Sequence, residues 1–252
     1  MRRNQKSRYT DTKPTQCLEY PTHPFGSDLC SVIAKMPKGF RDLALESVLS
    51  IQMLSILERM SDWHTSRDRV NQQVATPEDM SFLKNYDAQF EAQETYRCLE
   101  ICMGSGGGKG IERCLYYGLI AYILESFAQT EFSPELYWVM QDFPLALEQT
   151  EPEPTETDCL TWISVVAASS SKGPLSESGV RIMGELLKDH AHLRNWDRLE
   201  ETMRRFFWHD SLAVEWKRSW NAATERQCTA GEAFPKGSTV MDLPLMTPPR
   251  SA

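Results

Sequence analysis

The chain of 252 residues is 41% hydrophobic and 25% charged, which is ordinary for a soluble globular protein. Its 27 basic and 35 acidic side chains give a net charge of −8, and a body this acidic repels phosphate and excludes a strong nucleic-acid surface. The longest apolar run, residues 114–124, is about half as long as a membrane-spanning helix, so the sequence also excludes a membrane protein.

The N-terminal segment is polar and rich in turns. Residues 1–30 contain three prolines and no sustained period, so we expect a flexible basic arm. The first 13 residues hold five basic groups and one acidic group, a net charge of +4, so any contact with DNA would come from this arm. The five basic residues are Arg2, Arg3, Lys6, Arg8 and Lys13.

Helical periodicity begins at residue 31 and continues to residue 228. Residues 76–79 predict a helix start, because a hydroxyl cap is followed by proline and two acids. Residues 111–127 are apolar on nearly every side, which is typical of a helix in the middle of a bundle. Asn195 predicts the cap of a further helix. The last residues, 229–252, are polar with four prolines, and we expect a disordered tail.

No segment shows the sustained alternation of a half-buried strand bounded by hairpin turns. The sequence therefore predicts an all-α fold, an irregular multi-helix bundle of roughly eight to nine helices with disordered termini. We expect residues 31–228 to form one domain, because neither side of the acidic loop 148–158 looks able to fold alone. Seven widely spaced cysteines, an odd number, predict free thiols in a reducing compartment.

Motifs that would carry chemistry are incomplete or absent. In the glycine-rich segment 104–110, Lys109 is followed by Gly110 and not by the serine or threonine of a phosphate-binding loop. His190 and His192 are two residues apart, so on a helix they point to different sides and cannot chelate one metal ion unaided. No metalloprotease, zinc-finger or serine-hydrolase signature is present. We therefore expect no catalytic residue, no metal site and no cofactor, and we predict that the chain is not an enzyme.

The dipeptide His209-Asp210 is one place where an acid–base pair could be considered. Neighbours in sequence rarely face each other, however, and the position lies between two helical patterns. We predict a helix boundary here, with Asp210 or Ser211 as the cap of the final helix.

The most distinctive feature is a group of aromatic residues between positions 196 and 220. Two interpretations remain open. The first, which we favour, is a pair of helices whose aromatic faces pack on a shared core. The second is a pocket for a ligand or a partner, with an aromatic wall. The wall of such a pocket would be made by Trp196, Phe206, Trp208 and Trp216.

Six short segments carry a family resemblance when they are taken in order. They are Met36–Leu43 with Leu49–Ser50, Glu112–Leu115 with Ile120–Ile123, Cys159–Ala168, Asn195–Leu199, Phe206–Asp210 and Trp216–Trp220. Together they resemble the C-terminal helical regulatory region of the fungal zinc-cluster transcription factors. The resemblance extends over residues 30–222.

The resemblance implies a regulatory, or effector, module that controls transcription by RNA polymerase II through protein contacts. Its expected partners are other transcription regulators or a second copy in a homodimer, and its expected location is the nucleus, with the cytoplasm as a further location. The DNA-binding end of that family carries two cysteine triplets of the form C-x2-C-x6-C that hold zinc, and no such spacing occurs here. We therefore expect no sequence-specific DNA binding by this chain alone.

A second hypothesis is a helical domain that senses a small molecule and uses the aromatic pocket as its effector site. The two hypotheses differ in whether a cavity of about 300 Å³ or more exists among the four aromatic residues of that wall. The basic arm is compatible with the remnant of a linker, with a nuclear-import signal and with a truncated gene product, and the sequence leaves these three open.

Overall fold

The computed structural model describes residues 17–103, 108, 110–126, 137, 140–170 and 175–232, with side chains except at 85–92, 103, 175–177 and 228–232. Within these ranges the chain forms ten α-helices, one short 3₁₀ helix and no strand, which confirms the all-α prediction. In chain order the α-helices are α1 (Ser27–Lys35), α2 (Lys38–Leu45), α3 (Ile51–Asn71), α4 (Pro77–Met103), α5 (Ile111–Ser126), α6 (Phe143–Glu148), α7 (Thr157–Ser169), α8 (Leu175–Asp189), α9 (Trp196–Met203) and α10 (Asp210–Glu232). The 3₁₀ helix, Ala191–Arg194, lies between α8 and α9.

The number of elements in the described ranges differs from the roughly eight to nine helices that periodicity predicts. The reason is length. Helix α6 has six residues and the 3₁₀ helix has four, and neither is long enough to establish a 3.6-residue period. Helix α1 begins at residue 27, inside the segment 1–30 that we expected to be a flexible arm, and α10 continues to residue 232. Residues 1–16 and 233–252 lie outside the described residues.

Polar side chains fix the first turns of three helices. The Ser50 hydroxyl accepts the Met53 N–H at 3.1 Å and caps α3. Thr76 and Asp79 form a reciprocal capping box at the start of α4, in which each side chain accepts the backbone N–H of the other residue. The Asn195 side chain accepts two backbone N–H groups at the start of α9. The helix starts predicted at Thr76 and Asn195 are therefore confirmed.

Helix α5 is the centre of the bundle. Thirteen of its sixteen residues are buried, as expected for a helix that is apolar on every side. It packs against α4, α6 and α7, and α7 in turn packs against α8, α9 and α10. At the α7–α8 crossing a Cβ on Gly179 would lie 2.1 Å from the Ala168 carbonyl oxygen, so glycine permits the close approach. Among the described helices, none is both long and apolar enough to cross a lipid bilayer.

Candidate functional site

Four aromatic rings from three separate parts of the chain meet at one place, which we name the aromatic junction. Phe40 of α2 lies with its ring centroid 5.5 Å from Trp162, 5.0 Å from Phe206 and 4.9 Å from Phe207. The Trp162 indole N–H also donates a hydrogen bond to the Phe207 carbonyl at 3.1 Å. Helices α2 and α7 and the connection between α9 and α10 are therefore joined through one cluster of rings.

Backbone and charged groups reinforce the aromatic junction. The Gly39 N–H donates to the Arg205 carbonyl at 2.7 Å, and a Cβ on Gly39 would lie 2.3 Å from the Phe206 ring. The Arg205 guanidinium donates to the carboxylates of Asp42 in α2 and Asp158 in α7. Glycine at position 39 is required by this close approach, and one arginine connects the same three parts of the chain.

A buried carboxylate forms a second meeting point, which we name the carboxylate junction. Glu112, in the first turn of α5, is completely buried. Its two oxygens accept the Ser50 N–H at 2.8 Å and the Tyr20 hydroxyl at 2.5 Å. Tyr116 lies within 3.4 Å of the Ser50 hydroxyl, and burial, with the Glu112 charge second, raises the pKa of Tyr116. A cavity of about 390 Å³ lies beside Tyr20 and Ile111.

Of the four aromatic residues of the predicted pocket, only Trp208 and Trp216 contact each other, and the other two pack against different rings. Trp208 and Trp216 meet edge to face with their centroids 5.3 Å apart, and the Arg204 guanidinium lies 4.2 Å from the Trp208 ring. Trp196 instead meets Trp220 at 5.7 Å. Phe206 is buried in the aromatic junction. Of the four, Phe206 and Trp208 are among the described residues that line a cleft on the protein surface.

This cleft, which we name the corner cleft, has a volume of about 660 Å³. It lies between the second half of α3, the turn from α1 to α2, and the corner 204–210 that leads into α10. Met36, His64 and the aromatic rings of Phe206 and Phe207 are buried, whereas the charged lining residues are exposed at the rim. The volume falls within the range of small-molecule sites.

A buried histidine forms part of the corner cleft. The His64 Nε2 lies 2.5 Å from the Tyr122 hydroxyl, and the His64 ring stacks on Phe207 at 4.8 Å with an angle of 3° between the planes. Burial, followed by the charges of His209 and Arg67, lowers the pKa of His64 to about 3. His64 is therefore a neutral, hydrogen-bonded core residue at neutral pH. His64 was not among the residues identified from the sequence, although its position four residues after Met60 on the apolar stripe of α3 is a signal that could have found it.

The start of α10 corrects the expectation that Asp210 or Ser211 is its cap. The His209 carbonyl accepts the N–H groups of Leu212 and Ala213, and the His209 Nδ1 accepts the Ser211 N–H at 3.3 Å. His209 is thus the cap residue, because its imidazole supplies the acceptor that a shorter side chain usually provides. Its Nε2 is buried and has no hydrogen-bond partner among the described residues. The Ser211 hydroxyl, 2.6 Å from Nδ1, belongs to this cap.

The histidine pair His190 and His192 and the buried cysteines do not line the corner cleft. His190 and His192 flank the start of the 3₁₀ helix with their ring centroids 5.9 Å apart, and are not on one regular helix as the sequence pattern had indicated. Burial raises the pKa of the Cys98 and Cys159 thiols, so both are protonated at neutral pH. In the part of the chain that the structure describes, no group of three or more histidine, cysteine or acidic side chains could hold a metal ion.

Comparison with known protein families, with curated proteins and with solved structures finds no match for this chain. The described fold defines a helical domain with two junctions of remote segments, one of which, the aromatic junction, contributes Phe206 and Phe207 to a surface cleft.

Proposed function

We propose that the chain is the regulatory module of a transcription regulator similar to the fungal zinc-cluster factors, without a zinc-cluster DNA reader of its own. In this proposal it acts in the nucleus through contacts with other transcription regulators or with a second copy of itself. It controls transcription by RNA polymerase II and is not an enzyme.

The observation that carries this proposal is the pairing of the segments on which the resemblance rests. Gly39 and Phe40 of the first segment contact Phe206 and Phe207 of a later one, and both meet Trp162 of a third. These contacts support the proposal, because segments that are buried against one another are expected to occur together in one module.

The carboxylate junction supports the proposal in the same way. Ser50 ends the first segment, and Glu112 begins the second, and the two are joined by a hydrogen bond of 2.8 Å. The chemistry of the polar residues also favours a regulatory role over catalysis. His209 caps a helix and Arg205 joins α2 to α7, so the roles of these polar side chains are structural.

The experiment that tests the proposal is a tethering assay. The full chain is fused to an unrelated sequence-specific DNA-binding domain, and transcription of a reporter that carries the matching sites is measured in fungal cells. We expect transcription to rise or fall several-fold relative to the DNA-binding domain alone. A stably produced nuclear fusion that leaves the reporter unchanged would contradict the proposal.

A matched pair of variants makes this assay specific for the folded module. Gly39→Ala disturbs the aromatic junction, whereas Gly184→Ala adds a methyl group where nothing lies within 4 Å. The effect on the reporter should be weakened by the first variant, which destabilises the fold, and kept with the second.

A second candidate function, the sensing of a small molecule, is favoured by the corner cleft. The cleft has the volume of a ligand site, a buried floor and polar groups at its rim. Sensing and regulation are compatible, because a ligand that binds one conformation of the module would shift its contacts with partners.

A further inference from the structure

An apolar patch stays exposed near the start of the described chain. Tyr20, Leu45 and Ile51 have exposed fractions of 37%, 47% and 46%, which are high for large apolar side chains. Hydrogen bonds hold the segment around Tyr20 against α2 and α3. The Ile51 N–H donates to the Glu19 carbonyl at 2.7 Å, and the His23 Nε2 lies 2.8 Å from the Leu45 carbonyl oxygen. We name this group the Tyr20 patch, and clusters of exposed apolar side chains mark interaction surfaces.

The cavity of about 390 Å³ continues the Tyr20 patch into the surface. Its wall is mostly apolar and is made by Tyr20, Val48, Gly110 and Ile111, with Glu156 as the one charged residue among the described lining residues. A side chain that fills this cavity therefore needs an apolar body, and a positive charge next to it would meet the Glu156 carboxylate.

The carboxylates around the Tyr20 patch lack cationic partners in the described ranges. Glu156 accepts the Glu153 N–H at 3.0 Å, but it forms no ion pair with a described residue. The same holds for Glu19 and Glu46, which are exposed and adjoin patch residues along the chain. The patch is therefore complementary to a segment that combines an apolar side chain with net positive charge.

The segment that precedes the Tyr20 patch along the chain has this chemistry. Residues 1–16 carry five basic side chains and one acidic side chain, and Tyr9 is their one aromatic residue. The described chain starts at Cys17, whose carbonyl oxygen lies 3.5 Å from the Gln52 side-chain nitrogen in the first turn of α3. Eight residues connect Tyr9 to Cys17, and an extended chain of that length spans about 27 Å. The segment is therefore tethered beside the patch and is long enough to fold back on it.

We propose that residues 1–16 dock on the Tyr20 patch of their own chain and thereby cover an interaction surface of the module. The Tyr9 ring enters the cavity, Arg8 pairs with Glu156, and the remaining basic side chains face the other two carboxylates of the patch. A partner that uses this surface has to displace the segment. This inference goes beyond the proposed function and does not depend on it, because the contact needs no transcriptional role.

A competition between the tethered segment and a free copy tests the inference. The probe is a synthetic peptide of residues 1–16 with a fluorescent label at its carboxyl terminus, and its binding is measured by fluorescence anisotropy at low salt. We expect it to bind the full chain that carries Arg8→Gln and Tyr9→Ala, and to bind the wild-type chain at least tenfold more weakly, because the wild-type segment competes at a high effective concentration. A peptide with Tyr9→Ala should bind the double variant at least fivefold more weakly than the natural peptide.

Further changes in the double variant locate the site. Glu156→Gln removes a charge but keeps an oxygen that can accept the Glu153 N–H, and Ile51→Ser removes an exposed apolar side chain, so circular dichroism should show the fold intact. Each should weaken binding of the natural peptide at least fivefold. The matched controls are Asp197→Asn, an exposed carboxylate that does not line the cavity, and Val214→Ser, an exposed aliphatic residue on α10, and both should leave binding unchanged.

Absence of binding of millimolar peptide to the double variant overturns the inference, and so does equal binding to the double variant and the wild type. Binding that Glu156→Gln and Ile51→Ser leave unchanged also overturns it, because the segment would then dock elsewhere. A double variant that forms dimers and excludes the peptide would show that a second copy covers the Tyr20 patch, which contradicts the inference. The reporter assay of the proposed function is independent of these results.

Discussion

At the scale of single residues, the aromatic junction depends on a position that has no side chain. The Gly39 N–H approaches the Arg205 carbonyl at 2.7 Å, and the Phe206 ring fills the space where a Cβ would be. Because the ring belongs to a packed cluster with Phe40 and Trp162, it has little room to move away.

Gly39→Ala should therefore destabilise the fold by about 1–3 kcal/mol, the usual cost of overpacking a core. Gly184→Ala, in the interior of α8 with open space around it, should instead stabilise the fold by about 0.5–1 kcal/mol. The urea midpoints of the two variants measure both effects. A midpoint for Gly39→Ala equal to that of the wild type would show that the junction can open at no cost.

The two tryptophans near the corner differ in burial and should differ in their contribution to stability. Trp162 is completely buried, whereas Trp208 is partly exposed and donates to the Asp210 carboxylate at 2.8 Å. Trp162→Ala should cost about 3–5 kcal/mol, and Trp208→Ala about half of that. Urea denaturation compares them. If Trp208→Ala cost as much as Trp162→Ala, Trp208 would have to be as deeply buried as Trp162, which would contradict its partly exposed position at the cleft.

The buried His64 makes stability depend on pH. Its pKa of about 3 in the folded state lies below the value of about 6.5 in an unfolded chain. Between these two values the unfolded chain binds more protons, so the free energy of unfolding falls as the pH falls from 6.5 toward 3. The contribution of His64 is about 1.4 kcal/mol for each pH unit in this window.

Urea denaturation at pH 7 and pH 5, for the wild type and His64→Gln, measures this dependence. Burial raises the pKa of Asp68 and Glu94, so protonation of these two carboxylates stabilises the folded state as the pH falls, which is opposite to the effect of His64. Both carboxylates are present in the wild type and in the variant, so their effect cancels in the comparison. The loss of stability between pH 7 and pH 5 should therefore be about 2 kcal/mol larger for the wild type. Equal losses would mean that His64 titrates normally in the folded protein.

At the scale of elements, the carboxylate junction joins three segments that are far apart along the chain. Glu112 of α5 accepts a backbone N–H at the start of α3 and the hydroxyl of Tyr20, which precedes α1. The neighbouring Ile51 N–H donates to the Glu19 carbonyl at 2.7 Å. Residues 19–20 are thus held against α3 and α5 by hydrogen bonds, one of them to a fully buried carboxylate.

A double-mutant cycle with Tyr20→Phe and Glu112→Gln tests how strongly these elements are coupled. Tyr20→Phe leaves one oxygen of a buried carboxylate without its donor, which should cost about 1–3 kcal/mol. In the Glu112→Gln background the same change should cost less, because the remaining group is neutral. Thermal unfolding of the four proteins gives the coupling energy, and a coupling energy of zero would refute the contact.

At the scale of the whole molecule, charge limits what the chain can bind. The net charge is −8, and the first 13 residues by themselves carry +4, so the remaining residues carry −12. Such a body repels the DNA backbone, and binding would depend on a few basic groups on one short segment.

The isolated chain should therefore bind duplex DNA weakly and without sequence preference at physiological salt. Fluorescence anisotropy with several unrelated labelled duplexes measures this, and removal of residues 1–13 should abolish the remaining binding. A specific complex at nanomolar protein would contradict the prediction and require a DNA-reading surface elsewhere.

The sequence by itself determined the features that depend on neighbours along the chain. Periodicity predicted an all-helical fold and the burial of α5, and local hydrogen bonding predicted the helix starts at Thr76 and Asn195, because capping and amphipathicity act over a few residues. Helix α6 was not predicted as a separate helix, because six residues do not establish a period.

Only the tertiary structure decided which remote residues meet. The aromatic residues between 196 and 220 were visible in the sequence, but their division into the pairs Trp208–Trp216 and Trp196–Trp220 was not. In the corner cleft, His64 lies against the ring of Phe207, 143 positions further along the chain. This contact depends on the angle at which α3 packs against the corner 204–210. Such crossings are set by the packing of whole helix faces, which no local pattern of residues specifies.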